Sequence, residues 1–140
     1  MKNYKISRFM IIMLTIIAAL SNLSIIAVAL VRPNFTVLYD FAGELDYIGD
    51  KDWHNIVPAL GTGGYVVNVE YFPAEYLSFA FYDYNETADK YELIDYHDSP
   101  YHGDDIFYLN VPSGHMCEWM LVVYVDGSGE RVIYDGAILI

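Results

Sequence analysis

Seven short segments with the composition of β-strands follow one another after Arg32, and they constrain the fold more than any other feature. They are rich in β-branched and aromatic residues, and in several of them apolar and polar side chains alternate. Turn-forming sequences such as DYNETADK, VPSGH and DGSGE separate them, and no amphipathic helix of useful length follows Arg32. Short strands at this spacing predict a β-sandwich or barrel. The segments are Phe35–Phe41, Tyr65–Phe72, Leu77–Tyr84, Tyr91–Tyr96, Asp105–Val111, Trp119–Val125 and Arg131–Ile140.

A run of 23 residues without a charged side chain, Phe9–Val31, precedes these segments. It is long enough to cross the roughly 30 Å hydrocarbon core of a bilayer as a helix. The bases before it, at positions 2, 5 and 8, predict a cytoplasmic N-terminus. Ala27-Val28-Ala29 offers a small-x-small motif, so a signal peptide cleaved after Ala29 is the alternative, although the length favours an uncleaved anchor. We therefore expect a signal peptide or transmembrane anchor at 1–32 and an extracytoplasmic β-sandwich at 33–140, membrane-tethered through residues 9–31 or secreted.

The charge of the chain divides at the same place. All 19 acids follow residue 39, whereas only three bases (Lys51, Lys90 and Arg131) follow Arg32, which gives that part a formal balance of −16. Nucleic acids and anionic headgroups are repelled by such a surface, because binding phosphates requires clusters of Lys and Arg. The balance suits cations, basic partners, or a saline or acidic medium.

The single cysteine, Cys117, excludes an internal disulfide in a domain of this size. It lies at the start of a strand-like segment, so we expect a buried small apolar residue rather than an activated thiolate. The domain must then be held together by its core, with a metal ion as the one other aid.

Five short motifs follow one another along the chain. They are a G-D-x-D-W motif (Gly49, Asp50, Asp52 and Trp53), a V-P-A turn (Val57, Pro58 and Ala59), an aromatic middle strand (Phe79, Phe81, Tyr82 and Asp83), a V-P-x-G turn (Val111, Pro112 and Gly114) and a strand after it (Leu121, Val123 and Tyr124). Their order resembles that in the bacterial and archaeal pre-peptidase C-terminal domain.

The resemblance covers the chain from about Gly43 to its end. It implies a non-enzymatic, all-β fold, a jelly-roll-like antiparallel β-sandwich, here preceded by one N-terminal transmembrane or signal helix. Such domains are usually accessory modules of secreted proteases, and some relatives bind calcium through acidic residues near their N-terminal segment.

Four carboxylates lie within nine residues: Glu44, Asp46, Asp50 and Asp52. Ca²⁺ prefers six to eight oxygen ligands, which a folded-back loop of this composition could supply, with Asp83 or Asp104 joining across the sheet. The alternative is a polar loop leading into a strand, in which Asp50 supports a turn and Trp53 fills the base of the sandwich core. We predict these four acids as the metal ligands and Ca²⁺ as the one candidate cofactor, although no EF-hand spacing is present.

A second polar cluster, YHDSPYHGDD, contains His97, Asp98, His102, Asp104 and Asp105. Its side chains could bind a transition metal, but the histidine spacing matches no zinc signature, so a mobile loop is the favoured interpretation. His54 and His115 are isolated, and we expect them to make local hydrogen bonds. No nucleophile, zinc-protease or phosphate-loop motif occurs, so we predict no catalytic residues.

Thirteen of the 14 tyrosines lie outside the predicted membrane segment. Aromatic residues in strands are first of all core or cross-strand pairs, but an excess on an outer face would form a docking surface for sugar or protein. Asn34 and Asn85 begin glycosylation sequons.

These features together predict a cell-surface or secreted module that binds an extracellular protein or a polysaccharide. A membrane-anchored, self-assembling subunit of a surface filament or of a secretion or motility assembly is the alternative. A small secreted hydrolase is the remote one.

Overall fold

The computed structural model describes residues 35–140, so the predicted segment at 1–32 and the sequon at Asn34 lie outside the described residues. Within 35–140, no helix has the length and apolar character that crossing a membrane requires. This part of the chain is an all-β structure of eight antiparallel strands. The strands are β1 (Val37–Leu45), β2 (Lys51–Leu60), β3 (Gly63–Phe72), β4 (Tyr76–Asn85), β5 (Lys90–Pro100), β6 (Asp104–Val111), β7 (Cys117–Asp126) and β8 (Val132–Leu139).

The strands form two four-stranded sheets that pack face to face. Sheet I has the order β1-β8-β3-β6, and sheet II has the order β2-β7-β4-β5. Every connection crosses from one sheet to the other except the β4–β5 hairpin, so neighbours in each sheet come from distant parts of the sequence. This connectivity is that of an eight-stranded jelly roll built from two Greek keys. The prediction of an antiparallel β-sandwich is thereby confirmed.

The core lies between the sheets and follows the alternation of the strands. In β3, Val67 and Val69 point inward and are fully buried, and in β4 Phe79 and Phe81 do the same. Both phenylalanines of β4 contact Phe107 of sheet I, with ring centroids 5.5 and 6.2 Å apart. Truncating such a residue to alanine typically costs about 3–5 kcal/mol, so these cross-sheet contacts hold the two layers together.

All seven predicted strands are present, but the eighth, β2, was not predicted. It lies at the edge of sheet II, where it pairs with β7 as far as Asn55, and its register then shifts before Leu60. Pro58 lies in the irregular part. Proline cannot donate a ladder hydrogen bond, and a sheet tolerates it at an edge or a bulge. The proline and the acidic residues before it are typical of loops, so the sequence pattern predicted a loop where the structure has a strand.

The segment Gly43–Ala59 is therefore not one long loop. Gly43–Leu45 belongs to β1, the residues from Asp46 to Asp50 form a turn, and β2 begins at Lys51. The expectation that Trp53 fills the core was also wrong, because its side chain is 44% exposed. Its neighbour Ile56 belongs to the core cluster, whereas Trp53 pairs with Leu121 on the outer face of sheet II.

Cys117 is fully buried at the start of β7, as expected. Burial raises the pKa of its thiol to about 12. The side chain therefore remains a neutral thiol at physiological pH and contributes packing rather than reactivity.

Candidate functional site

The outer face of sheet II carries five ring side chains from all four of its strands, here called the aromatic surface. The members are Trp53 (β2), Tyr82 and Tyr84 (β4), Tyr91 (β5) and Trp119 (β7). Strand register brings them together, since Tyr82 lies opposite Trp119 and Tyr84 lies opposite Tyr91. In sequence they are spread over 67 residues, from position 53 to position 119.

The rings pack against one another and remain accessible. Tyr91 contacts the other four members, with centroid distances of 5.2–6.3 Å. Trp53 and Tyr91 are 44% and 47% exposed. Beneath the rings, Leu121 is only 8% exposed although it is not part of the core between the sheets. The aromatic surface thus covers a small apolar layer of its own and still presents ring faces to solvent.

Mutual contact fixes the orientation of the rings. The planes of Trp53 and Tyr91 are inclined by 35°, whereas Trp119 stands nearly edge-on to both, at 78° and 85°. Edge-to-face and tilted contacts of this kind are favourable arrangements for aromatic pairs. Rings that are already held in place lose little conformational entropy when a ligand binds.

Polar groups border the aromatic surface. Asn55 of β2 is exposed opposite Trp119 on the same face. The Tyr84 hydroxyl donates a hydrogen bond to Asp89, which raises the pKa of Tyr84. Further along the face, the Tyr96 hydroxyl donates to Asp98, which raises the pKa of Tyr96 to about 12. The face therefore combines apolar ring surfaces with carboxylate and amide acceptors.

The four acids predicted as calcium ligands are engaged by other groups of the domain. Glu44 and Asp46 both form ion pairs with Arg131, at 3.3 and 2.9 Å. The Asp50 carboxylate accepts hydrogen bonds from the backbone N–H groups of Asp46 (2.8 Å) and Lys51 (2.9 Å).

Asp52 accepts a hydrogen bond from the Tyr134 hydroxyl at 2.5 Å. Among residues 35–140, no three acidic, histidine or cysteine side chains are grouped so that they could hold a metal ion. The calcium site stays a prediction.

The histidines make the local contacts that were expected of isolated residues. His54 lies 2.7 Å from the Tyr134 hydroxyl, and His115 lies 3.0 Å from Asp83. In the second polar cluster, His97 pairs with Asp105 at 2.9 Å. The His97 ring also stacks on Phe107, with centroids 4.0 Å apart, so it has a structural environment.

Comparisons with known proteins give no family for this chain. No protein-family model matches the sequence, and no curated protein matches it. Three solved variants of a family 29 carbohydrate-binding module are similar in structure, with TM-scores of 0.45, 0.45 and 0.42 and identities of 10%, 10% and 12%. The alignments cover 76%, 76% and 77% of this chain and 91%, 91% and 85% of those modules. A likeness at this level does not bear on what this chain binds.

Proposed function

We propose that this protein is a non-enzymatic module that binds a neutral polysaccharide outside the cytoplasm. The observation that carries this proposal is the aromatic surface, in which five rings from four strands pack together and the rings of Trp53 and Tyr91 are exposed to solvent. Sugar rings have apolar C–H faces that stack on aromatic side chains, and their hydroxyl groups need hydrogen-bond partners beside those faces. Asn55, opposite Trp119, and Asp89, beside Tyr84, border the rings and supply such partners.

The charge of the domain favours a neutral glycan over an acidic one. Residues 35–140 carry 19 acids and three bases, and the bases on sheet II are Lys51 and Lys90, at its two edge strands. Uronate or sulfate groups would be repelled by this field, whereas uncharged hydroxyl groups would not. We therefore expect binding to chains without carboxylate or sulfate groups.

The inclination of the rings favours a separate glycan chain over a flat crystalline surface. A crystalline polysaccharide presents one plane and would need coplanar rings, but Trp119 stands nearly edge-on to Trp53 and Tyr91. A single flexible chain can turn successive sugar faces toward differently inclined rings.

The test is binding of soluble neutral oligosaccharides (glucan, mannan and xylan series) to the full chain in non-ionic detergent, followed by tryptophan fluorescence and calorimetry. Replacing Trp53 with alanine should weaken the best ligand about 30-fold, as expected for an aromatic residue at the centre of a binding site. Tyr91→Ala should weaken it comparably. Tyr108→Ala is the matched control, because Tyr108 is an exposed tyrosine on the opposite sheet.

The proposal fails if no neutral oligosaccharide binds, or if Tyr108→Ala weakens binding as much as Trp53→Ala. Preferential binding to oligogalacturonate would contradict the electrostatic argument. Preferential retention on crystalline cellulose would contradict the argument from ring inclination. Unfolding is monitored by circular dichroism, so that loss of structure is not mistaken for loss of a contact.

Membership of the pre-peptidase C-terminal family and extracytoplasmic placement are parts of the same proposal. The motif order from Gly49 onward supports the first, and the uncharged run at residues 9–31 supports the second. Intact-mass measurement of the native protein distinguishes a tethered chain from one cleaved after Ala29.

Stabilisation by Ca²⁺ is also proposed, on the strength of the four acids at positions 44, 46, 50 and 52. We expect Ca²⁺ to raise the melting temperature, and we expect this increase to be lost in Asp50→Ala and Asp52→Ala. An identical melting temperature in Ca²⁺ and in chelator would remove calcium from the proposal.

A further inference from the structure

A row of like charges crosses the outer face of sheet I. Glu70 of β3 lies directly opposite Asp135 of β8 on one side and Asp104 of β6 on the other. Carboxylates that face each other directly across paired strands destabilise a sheet. All three side chains belong to exposed residues, and within residues 35–140 none of them has a side-chain hydrogen bond or an ion pair.

No base of the described domain relieves this repulsion. Lys51 and Lys90 lie in strands of sheet II, and the Arg131 guanidinium is engaged by Glu44 and Asp46. The row therefore remains a strip of uncompensated negative charge, which costs stability in the isolated domain.

Large apolar side chains flank the row. Phe72 and Ile133 lie opposite each other in the next register position and are 80% and 60% exposed. On the other side, Ile106 and Tyr108 of β6 are 69% and 83% exposed. Exposed apolar groups of this size beside one another are typical of interaction surfaces.

The same face is grooved. A depression of about 560 Å³ lies over the row, and two smaller ones of about 370 and 220 Å³ continue from it toward β1. Asp135 lines all three. The depression over the row is lined by Glu70, Tyr71, Phe72, Gly103, Asp104, Ile133 and Asp135.

We propose that this groove docks an extended segment of a partner protein in which Lys or Arg alternates with apolar residues. The bases would neutralise the row formed by Glu70, Asp104 and Asp135, and the apolar side chains would cover Phe72 and Ile133. An extended segment places successive side chains on alternate sides, about 3.3 Å apart per residue, which matches a groove crossing several strands.

Other occupants fit less well. A second copy of this chain would place carboxylates against carboxylates, and nucleic acid or an anionic membrane would be repelled for the same reason. A metal ion or a polyamine would neutralise the charges but leave Phe72, Tyr108 and their neighbours exposed. The groove lies on the opposite sheet from the aromatic surface, so it is independent of glycan binding.

The test uses the full chain in non-ionic detergent and a short synthetic peptide of alternating lysine and valine, with binding followed by calorimetry. The double variant Glu70→Gln/Asp135→Asn should weaken this peptide roughly fivefold to tenfold, because two exposed charge pairs are lost. Phe72→Ser should also weaken it. Glu86→Gln/Glu130→Gln removes the same charge from exposed turn residues and should leave binding unchanged.

Thermal unfolding supplies a second measurement that guards against a folding artefact. Glu70→Gln/Asp135→Asn should raise the melting temperature, since it relieves repulsion along the row, so weaker binding by this double variant cannot reflect unfolding. Equal binding of the wild type and the double variant would overturn the proposal. Equal affinity for a lysine–serine peptide or for spermidine would also overturn it, because the apolar flanks would then contribute nothing.

Discussion

Removal of the Tyr134 hydroxyl is the perturbation that best tests how the two sheets are joined. Tyr134 of β8 in sheet I is fully buried, and its hydroxyl donates to the Asp52 carboxylate of β2 in sheet II at 2.5 Å. His54 Nε2 lies 2.7 Å from the same hydroxyl oxygen. Because the hydroxyl proton points to Asp52, His54 must donate its Nε2–H to that oxygen. Tyr134→Phe therefore removes two hydrogen bonds between the sheets.

The expected cost follows from the surroundings of the two partners. A hydrogen bond to a charged acceptor contributes about 1.5–3 kcal/mol and a neutral one about 0.5–1.5 kcal/mol. The Asp52 side chain is 35% exposed, so water replaces part of what it loses, whereas the His54 side chain is 11% exposed. We therefore expect a loss of about 2–3 kcal/mol in the free energy of unfolding, and a fall of roughly 10 °C in melting temperature.

The assay is thermal and denaturant unfolding of the full chain followed by circular dichroism, with Tyr65→Phe as the control. The Tyr65 hydroxyl donates one neutral hydrogen bond to the nearby Gly61 carbonyl, so its loss should cost about 1 kcal/mol. Asp52→Asn and the double variant complete a cycle, in which a coupling of at least about 1 kcal/mol is expected. A cost no larger than that of Tyr65→Phe, or additive effects of the two single variants, would show that the Tyr134 hydroxyl does not join the two sheets through Asp52.

Three further outcomes are expected. Burial lowers the pKa of His54, and the opposite effect of Asp52 is smaller. The contribution of His54 to stability is therefore complete above about pH 6.5 and falls as the pH drops below that value. Thermal unfolding between neutral and mildly acidic pH should show this loss, and His54→Gln should make the melting temperature less dependent on pH. The two oxygens of the buried Glu75 carboxylate accept hydrogen bonds from the backbone N–H and the hydroxyl of Ser128. Glu75→Gln should therefore lower the free energy of unfolding, measured with denaturant, by about 2 kcal/mol. An unchanged free energy of unfolding would contradict a stabilising role of this carboxylate. The Cys117 thiol, with its pKa raised to about 12 by burial, should react with a thiol reagent only when the chain is unfolded, and rapid labelling of the native protein would show that it is accessible.

The strands could be predicted from sequence because their signal is local. Each of the segments Tyr65–Phe72 and Leu77–Tyr84 has the composition of a strand on its own, and the structure has β3 and β4 there, with side chains such as Val67 and Phe79 in the core. The burial of Cys117 and the absence of thiolate character followed from the same local pattern.

The strand β2 could not be predicted in the same way. Its acidic residues and Pro58 interrupt the alternation of apolar and polar side chains, and pairing with β7 makes the segment a strand. The position of Trp53 depended on that pairing. A tryptophan is assigned to the core by its size, but once Ile56 of the same strand faces inward, the register with Leu121 places the indole outside. The four acids predicted as calcium ligands do not converge on one site. Their carboxylates contact Arg131, backbone N–H groups and the Tyr134 hydroxyl instead.

The class of fold, the strong negative charge and the number of aromatic side chains follow from the amino-acid sequence alone, since each depends on composition or on a period of two residues. The places where those side chains meet depend on the tertiary fold. The aromatic surface joins Trp53, Tyr91 and Trp119, and the carboxylate row joins Glu70 to Asp135. In a jelly roll, neighbouring strands come from distant parts of the chain, so cross-strand register, which no local pattern encodes, creates both surfaces.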